Sequence, residues 1–254
     1  MGPSSWHDGR VFAAFMNPDD TGVGVAFTDR LGGVSQPPFD SLNLGRSGFD
    51  DDDALTTNFG LLRSRLGVGT IVTVAQVHGT DVLEVTSDLV TAGGPLVKAD
   101  AMVTTLTGVA LCIRVADCLP VLFSDPVTGV VGAAHAGRVG LLAGVLPATV
   151  AAMRRLGARH IEAWIGPGIC GRCYEVPQAM AEDAWHRLPA TKCQTTWGTP
   201  SIDLAAGAVQ ELQEAEVTVT PPGQCTFETP SLYSHRRDHG ATGRQAGVIW
   251  RLRP

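Results

Sequence analysis

Three side chains able to bind a soft metal stand in three turns built of small or apolar residues. His78 lies in Gln76-Val77-His78-Gly79, Cys118 in Ala116-Asp117-Cys118-Leu119-Pro120, and His135 in Ala134-His135-Ala136-Gly137. Two imidazoles and one thiolate are a donor set that holds zinc and leaves a fourth position open, which catalytic zinc requires. The same residues support a second chemistry, with Cys118 as nucleophile and His135 as its base. The gaps between them are long, so spacing alone does not join them. Each taken singly also reads as an ordinary core residue.

What joins them is their place relative to the elements that carry them. The runs 71–75, 109–113 and 129–133 are apolar, rich in small and β-branched residues, and read as buried strands. Each candidate ligand follows one of these runs, so the three are expected at strand ends on a common rim of a sheet. Upstream, 11–15 and 22–28 also read as strands. The acids Asp50 to Asp53 precede a helix expected over 54–66, where negative charge suits the helix start. They lack the alternating spacing of a calcium loop. From 71 to 136 the pattern is strand after strand with tight turns.

A helix is expected from 137 to about 156, kinked or restarted by the interior Pro147. A strand over 160–165 and a glycine-rich turn over 166–173 follow. A helix with Pro177 in its first turn is expected to about 188, and another capped by Asp203 to about 214. Strands at 217–220 and 245–252 close the chain. Helices mixed with antiparallel hairpins argue for one α/β sandwich-like domain over 1–254, with no internal repeat.

Composition narrows the function classes. Hydrophobic residues are 44% and charged residues 17%, enough apolar mass for a sizeable core. The net charge of -6, with no basic block, argues against nucleic-acid binding by phosphate neutralisation. No stretch approaches a membrane span, and the first residues lack signal-peptide regions, so a cytoplasmic location is expected. The six cysteines then read as thiols, not a disulfide framework, with Cys112 a small core residue.

Other candidates have weaker patterns. Asp100 and Asp117 sit at strand boundaries where a carboxylate can orient a ligating imidazole; for Asp100 an ordinary turn or cap role is the preferred reading. Cys170-Gly-Arg-Cys173 is a lone CxxC that needs two more ligands to be a zinc site. It is read first as a tight turn bringing backbone amides near a substrate, with Glu175 beside it as an acid/base group. His235 and His239 have the i, i+4 spacing of helical ligands, but the glycines around them favour an exposed polar loop. Arg236, Arg237 and Arg244 form a cluster suited to an anion.

The strings QVHG (76–79), DAMVT (100–104), RVADCLPVLFSDP (114–126), GAAHAGRVGLLAGV (132–145), IGPGICGRCYEV (165–176) and RRDHGATGRQAGVIW (236–250) together resemble the YfiH-like family. That family is also called the laccase-domain or peptidoglycan-editing-factor family. The early segments 28–35 and 41–45 fit it too, so the resemblance spans most of the chain in order. It implies a single α/β domain, a layered sandwich with mixed β-sheets flanked by helices. It also implies a zinc site formed by His78, Cys118 and His135, and purine nucleoside phosphorylase activity with adenosine deamination as an addition. A role in editing peptidoglycan precursors and an older polyphenol oxidase label come with the same resemblance. The chain departs from the family pattern at Arg138-Val139, at Arg46-Ser47-Gly48 and at Pro147.

The leading expectation is therefore a zinc-dependent purine nucleoside phosphorylase. Arg30, Asn43 and Arg138 are the candidates to hold phosphate and substrate, and His78, Cys118 and His135 the catalytic and metal residues. Glu175 and Asp117 are candidate proton donors. The HxE and PCxxC pattern of zinc deaminases is absent, so any deamination needs another architecture. The alternative is a peptidoglycan-precursor hydrolase acting on a muropeptide through zinc or a Cys-His pair. Copper oxidation of phenols ranks last, because the seven histidines include no His-x-His and no blue-copper cluster is visible. A non-catalytic reading makes the metal structural, with Cys170 or Cys173 as its fourth ligand. A monomer is expected.

Overall fold

The computed structural model describes residues 12–18, 22–46, 50–92, 96–220 and 222–252. Two mixed sheets stack face to face with helices on the outside. The first sheet contains β1 (Phe12–Met16), β2 (Val23–Thr28), β3 (Thr70–Val72), β6 (Val109–Val115) and β13 (Gln245–Arg251), in the order β1-β2-β13-β6-β3. Its pairs are antiparallel except β3 with β6. The second contains β4 (Val82–Glu84), β5 (Ala101–Thr104), β7 (Leu119–Asp125), β8 (Val130–Ala136), β9 (Glu162–Ile165) and β12 (Thr218–Thr220). Its order is β12-β9-β7-β8-β5-β4, with parallel pairs at the two edges. A small ribbon, β10 (Lys192–Gln194) with β11 (Pro200–Ile202), stands apart.

Strand periodicity sorts the side chains into layers. Val25, Leu111, Ile113 and Ile249 meet Met102, Leu122, Val131 and Ala133 between the sheets. On the outer face of the first sheet, Val248 and Trp250 pack against Leu62 and Leu66 of α1 (Asp52–Leu66). On the outer face of the second, Val121, Phe123 and Ala134 pack against α4 (Val145–Arg155), α5 (Gln178–Arg187) and α6 (Leu204–Glu214). Central strands covered on both faces read as continuous apolar runs, which is how β7 and β8 appear in the sequence. This is the expected α/β sandwich of mixed sheets flanked by helices.

Several expected boundaries move, each for a local reason. Val11 lies outside the described residues. Asp51 to Asp53 of the acid run start α1, whose N-cap Asp51 accepts from the amides of Asp53 and Ala54, while Asp50 accepts from Ser35 and Asn43. β3 stops at Val72, not residue 75, because the Gln76 side chain takes over its pairing with β6. Its Nε2 donates to the Arg114 carbonyl at 2.8 Å, and its Oε1 accepts from the Arg114 amide at 3.0 Å. A short helix, α2 (Ser87–Ala92), interrupts the expected run of strands. The helix expected over 137–156 is two, α3 (Arg138–Ala143) and α4, broken at Gly144 with φ 91°. Only glycine enters that left-handed conformation without strain. Pro147 then falls in the first turn of α4, where its missing N–H costs nothing. Among the described residues no helix is long and apolar enough to cross a membrane.

Candidate metal centre

His135 is the penultimate residue of β8, with Ala134 and Ala136 pointing to the helices and His135 to the opposite side. Antiparallel pairing sets Ala134 opposite Ala101 and Ala136 opposite Leu119. That register brings Asp100, just before β5, and Cys118, just before β7, beside the imidazole. His78 arrives from the irregular segment after β3. The ligand atoms of His78, Cys118 and His135 all lie within 4.8 Å of one another. The Cys118 Sγ to His78 Nε2 distance is 3.9 Å, and the two imidazoles meet edge-on with centroids 4.8 Å apart. His135 is buried, Cys118 half-buried and His78 exposed, so the group opens to solvent on one side.

Asp100 organises this group, which corrects its preferred reading as an ordinary turn or cap aspartate. Its buried carboxylate accepts from the amides of Val77 (3.0 Å), His78 (2.9 Å) and Gly79 (2.7 Å), and contacts His135 Nδ1 at 2.8 Å. Three successive amides aimed at one carboxylate form an anion nest. The nest holds His78 at φ 61°, a left-handed conformation that a non-glycine residue rarely adopts. The contact to Nδ1 leaves His135 Nε2 facing Cys118 and His78, the arrangement that orients a metal-ligating imidazole.

Asp117, also left-handed at φ 84°, does not touch an imidazole. It accepts from Thr226 Oγ1 and from the Arg236 amide, each at 2.6 Å, and so ties the Cys118 turn to the 225–236 segment.

Electrostatics couple Cys118 to His135. Burial pushes the thiol up, but the charge of His135 and hydrogen bonds with His135 and His78 outweigh it and bring Cys118 down to about 6. Burial pushes His135 down, but Cys118 and Asp100 carry it up to about 9. Each group thus favours the charged form of the other, a thiolate beside an imidazole that holds the proton. A cation held by both would take the place of that proton.

A cavity of about 500 Å³ opens on the three residues and continues past Gln76, Arg46, Arg114, Arg244 and His235. Burial and the charges of Arg46 and Arg244 lower the Arg114 guanidinium from its ordinary value, against the opposing influence of Cys112. Arg114 Nη2 donates to the Val74 carbonyl at 2.7 Å, while its buried Nε has no partner. Among the described residues, none of these three arginines has a carboxylate within ion-pair distance.

The substrate-binding candidates Arg30, Asn43 and Arg138 do not line this cavity. Arg30 is held by Asp40 and lies over the Tyr233 ring, away from the cavity lining. Asn43 is fully buried and committed. Its Nδ2 donates to Asp50, and its Oδ1 accepts from the amides of Gly45 and Arg244. Arg138 starts α3, and its charge reaches the Tyr174 hydroxyl, which burial and Cys118 push up and Arg138 and Arg236 pull down. Glu175 holds the Trp197 indole at 2.6 Å. Arg237 is absorbed by Asp238 and three backbone carbonyls, and Arg236 by Tyr174 and the Glu175 carbonyl. His235 and His239 lie in a turn segment, and only His235 reaches the cavity. Cys170 and Cys173 do not supply a fourth ligand to the first group; they gather with Cys225 and Glu228. Reading the sequence missed Arg114, whose signal was a charge interrupting the apolar run of β6.

Gly137 leaves the space that a ligand would fill. A Cβ there would come within 2.8 Å of His78 Cδ2 and 2.9 Å of Cys118 Sγ. Its φ of -77° suits any residue, so Gly137→Ala is expected to spare the fold. The variant should bind zinc at least about tenfold more weakly, on the scale of a perturbed ligand shell. Chelator competition checks the affinity and a melting curve checks the fold.

Residues 24–252 match the model of a family described as multi-copper polyphenol oxidoreductase laccase. The chain is 46% identical over 234 residues to a purine nucleoside phosphorylase of Streptomyces coelicolor, covering 90% of this chain and 96% of that protein. It is 37% identical over 246 residues to the purine nucleoside phosphorylase YfiH of Escherichia coli, covering 92% and 96%. Among solved structures, a Neisseria meningitidis protein of the DUF152 family superposes with TM-score 0.83 at 34% identity, covering 96% of this chain and all of that one, 100%. A Bacillus licheniformis hypothetical protein YfiH superposes with TM-score 0.85 at 29% identity, covering 97% and 98%.

Proposed function

Because the chain belongs to the YfiH-like, laccase-domain family, we propose that it splits purine nucleosides with inorganic phosphate, releasing the base and ribose 1-phosphate. The relatives named for that activity supply the reaction class. The observation in this chain that carries it is the convergence of Arg46, Arg114 and Arg244 on the cavity that holds His78, Cys118 and His135. Beyond burial, Arg114 is lowered by the charges of Arg46 and Arg244, so these like charges repel one another even with Asp117 in electrostatic reach of Arg244. A phosphate dianion relieves that repulsion and accepts from several guanidinium N–H groups at once. In phosphorolysis a phosphate oxygen bonds to the ribose C1′ as the C–N glycosidic bond breaks, and the purine leaves with the bonding pair. The arginines hold the nucleophile, and a cavity of about 500 Å³ is of the size that takes a nucleoside beside it.

The donor set and the space beside Gly137 fit a zinc ion at His78, Cys118 and His135. Zinc there would supply a Lewis acid. This chain's contribution is orientation: Asp100 fixes the His135 ring and the 77–79 turn, and Asp117 fixes the Cys118 turn. Adenosine deamination belongs to the same reading as a side activity. A second reading rests on the Asp100, His135 and Cys118 arrangement, which activates a thiolate for attack on a muropeptide carbonyl. Zinc content and loss of turnover on chelation distinguish it from the first, and copper content tests the oxidase reading.

The direct test is release of base from adenosine, inosine or guanosine that depends strictly on phosphate. In that assay Arg114→Gln is expected to raise the apparent KM for phosphate roughly tenfold or more, since a charged hydrogen bond contributes about 1.5–3 kcal/mol. The KM for nucleoside should stay within about twofold, the pattern of lost uniform binding. Arg46→Gln, at an exposed position, should shift the phosphate KM in the same direction without risk to the core. Unchanged phosphate KM in both variants would sink the assignment.

A further inference from the structure

A second group of ligating side chains stands outside the cavity. Cys170, Cys173, Cys225 and Glu228 have their ligand atoms all within 4.8 Å of one another, and all three cysteines are free thiols. The Cys170-Gly-Arg-Cys173 turn is closed by the Cys173 and Tyr174 amides, each donating to the Cys170 carbonyl at 3.0 Å. A turn of similar spacing starts at Cys225, whose carbonyl accepts from the Thr229 amide at 3.1 Å. The two turns are already joined. The Cys170 amide donates to Cys225 Sγ at 3.4 Å, and the Thr226 amide donates to the Gly168 carbonyl at 3.0 Å.

We propose that Cys170, Cys173, Cys225 and Glu228 bind a second zinc ion, structural in role and separate from the group at His78, Cys118 and His135. The paired spacings, CxxC and CxxE, each set two donors on one side of a tight turn, as structural zinc sites do. Zinc–sulfur bonds of about 2.3 Å in a tetrahedron put ligand atoms about 3.8 Å apart. The observed ligand atoms, all within 4.8 Å of one another, stand close to that spacing. Four protein donors close the coordination shell, which distinguishes a structural ion from a catalytic one. The ion would pin together the two segments that anchor Asp117. The Ile169 amide donates to its carbonyl at 2.9 Å, and Thr226 Oγ1 to its carboxylate at 2.6 Å. The second site thus supports the turn that presents Cys118 while contributing no atom to the cavity.

The experiment is zinc analysis of the whole protein purified under reducing conditions, as wild type, Cys118→Ser and Cys173→Ser, together with cobalt substitution. Zinc that survives Cys118→Ser at about one equivalent per chain and is lost in Cys173→Ser is the expected result. Cobalt-loaded Cys118→Ser should keep intense thiolate-to-metal absorption, because Cys118 is then absent and the remaining thiolates come from the second group. If Cys173→Ser fails to fold, the exposed Glu228→Gln gives the same reading through chelator competition, with zinc retention weakened roughly tenfold or more. Zinc that vanishes entirely in Cys118→Ser overturns the proposal, and so does zinc unchanged in both Cys173→Ser and Glu228→Gln. A disulfide among the three thiols in freshly purified protein overturns it as well. None of these outcomes depends on nucleoside turnover.

Discussion

Cys118→Ser is expected to lower phosphate-dependent nucleoside cleavage by about a thousandfold while leaving the melting temperature within a few degrees. Cys118 is half-buried at the edge of the inter-sheet core, and serine has nearly the same shape, so the fold should tolerate the change. Its thiol is the one sulfur donor of the group, and with Asp100 it outweighs burial to raise His135 to about 9. Serine is a poor zinc ligand at neutral pH, and a Lewis acid contributes several kcal/mol to such a step. About 4 kcal/mol is about a thousandfold in rate. Phosphorolysis by metal-free Cys118→Ser at the wild-type rate would remove this group from the mechanism. If instead peptide cleavage is lost and metal content is irrelevant, the thiolate reading takes its place.

Asp100→Asn is expected to damage both stability and metal binding. The carboxylate accepts from three amides and contacts His135, and it is fully buried. An amide of the same shape keeps one acceptor and turns a donor toward N–H groups. Leaving buried charge partners unmet costs about 3–5 kcal/mol, and disturbing the orienting partner of a ligating imidazole costs roughly 10–100-fold in metal affinity. Burial raises the Asp100 carboxyl, but His135 and the amides of Gly79 and Val77 outweigh it and hold it below its ordinary 3.8. A depressed folded value contributes stability above the ordinary value and loses it as pH falls through the folded one. The gap between wild type and Asp100→Asn in urea unfolding should therefore be wide at neutral pH and narrow in acid. A gap that is constant with pH would show that the carboxylate charge is not what holds the turn.

The two groups differ in how legible they were. His78, Cys118 and His135 could be read because each is a ligating residue framed by small neighbours beside an apolar run, a local pattern. Asp100 could be read only as one of two carboxylates able to orient an imidazole, and not the preferred one, because its role comes from the β5–β8 register and from amides that lie more than twenty residues away in sequence. The CxxC of Cys170 and Cys173 read as a lone pair for the same reason: Cys225 and Glu228 arrive through a loop that pairs with Gly168. Arg30 and Asn43 looked available as donors until the fold used them, Arg30 on Asp40 and the Asn43 amide on Asp50.

The sequence by itself determined the layered α/β architecture and most of its elements, since period-two and apolar runs, caps and helix breakers act within a few residues. Tertiary structure alone decided which charged groups are spent on the fold and which remain for a ligand. Ion pairs and buried hydrogen bonds are settled by strand register and loop packing between segments far apart in the chain. Arg114 and Arg244 are left facing a cavity, and Arg237 is not, because of where those segments meet.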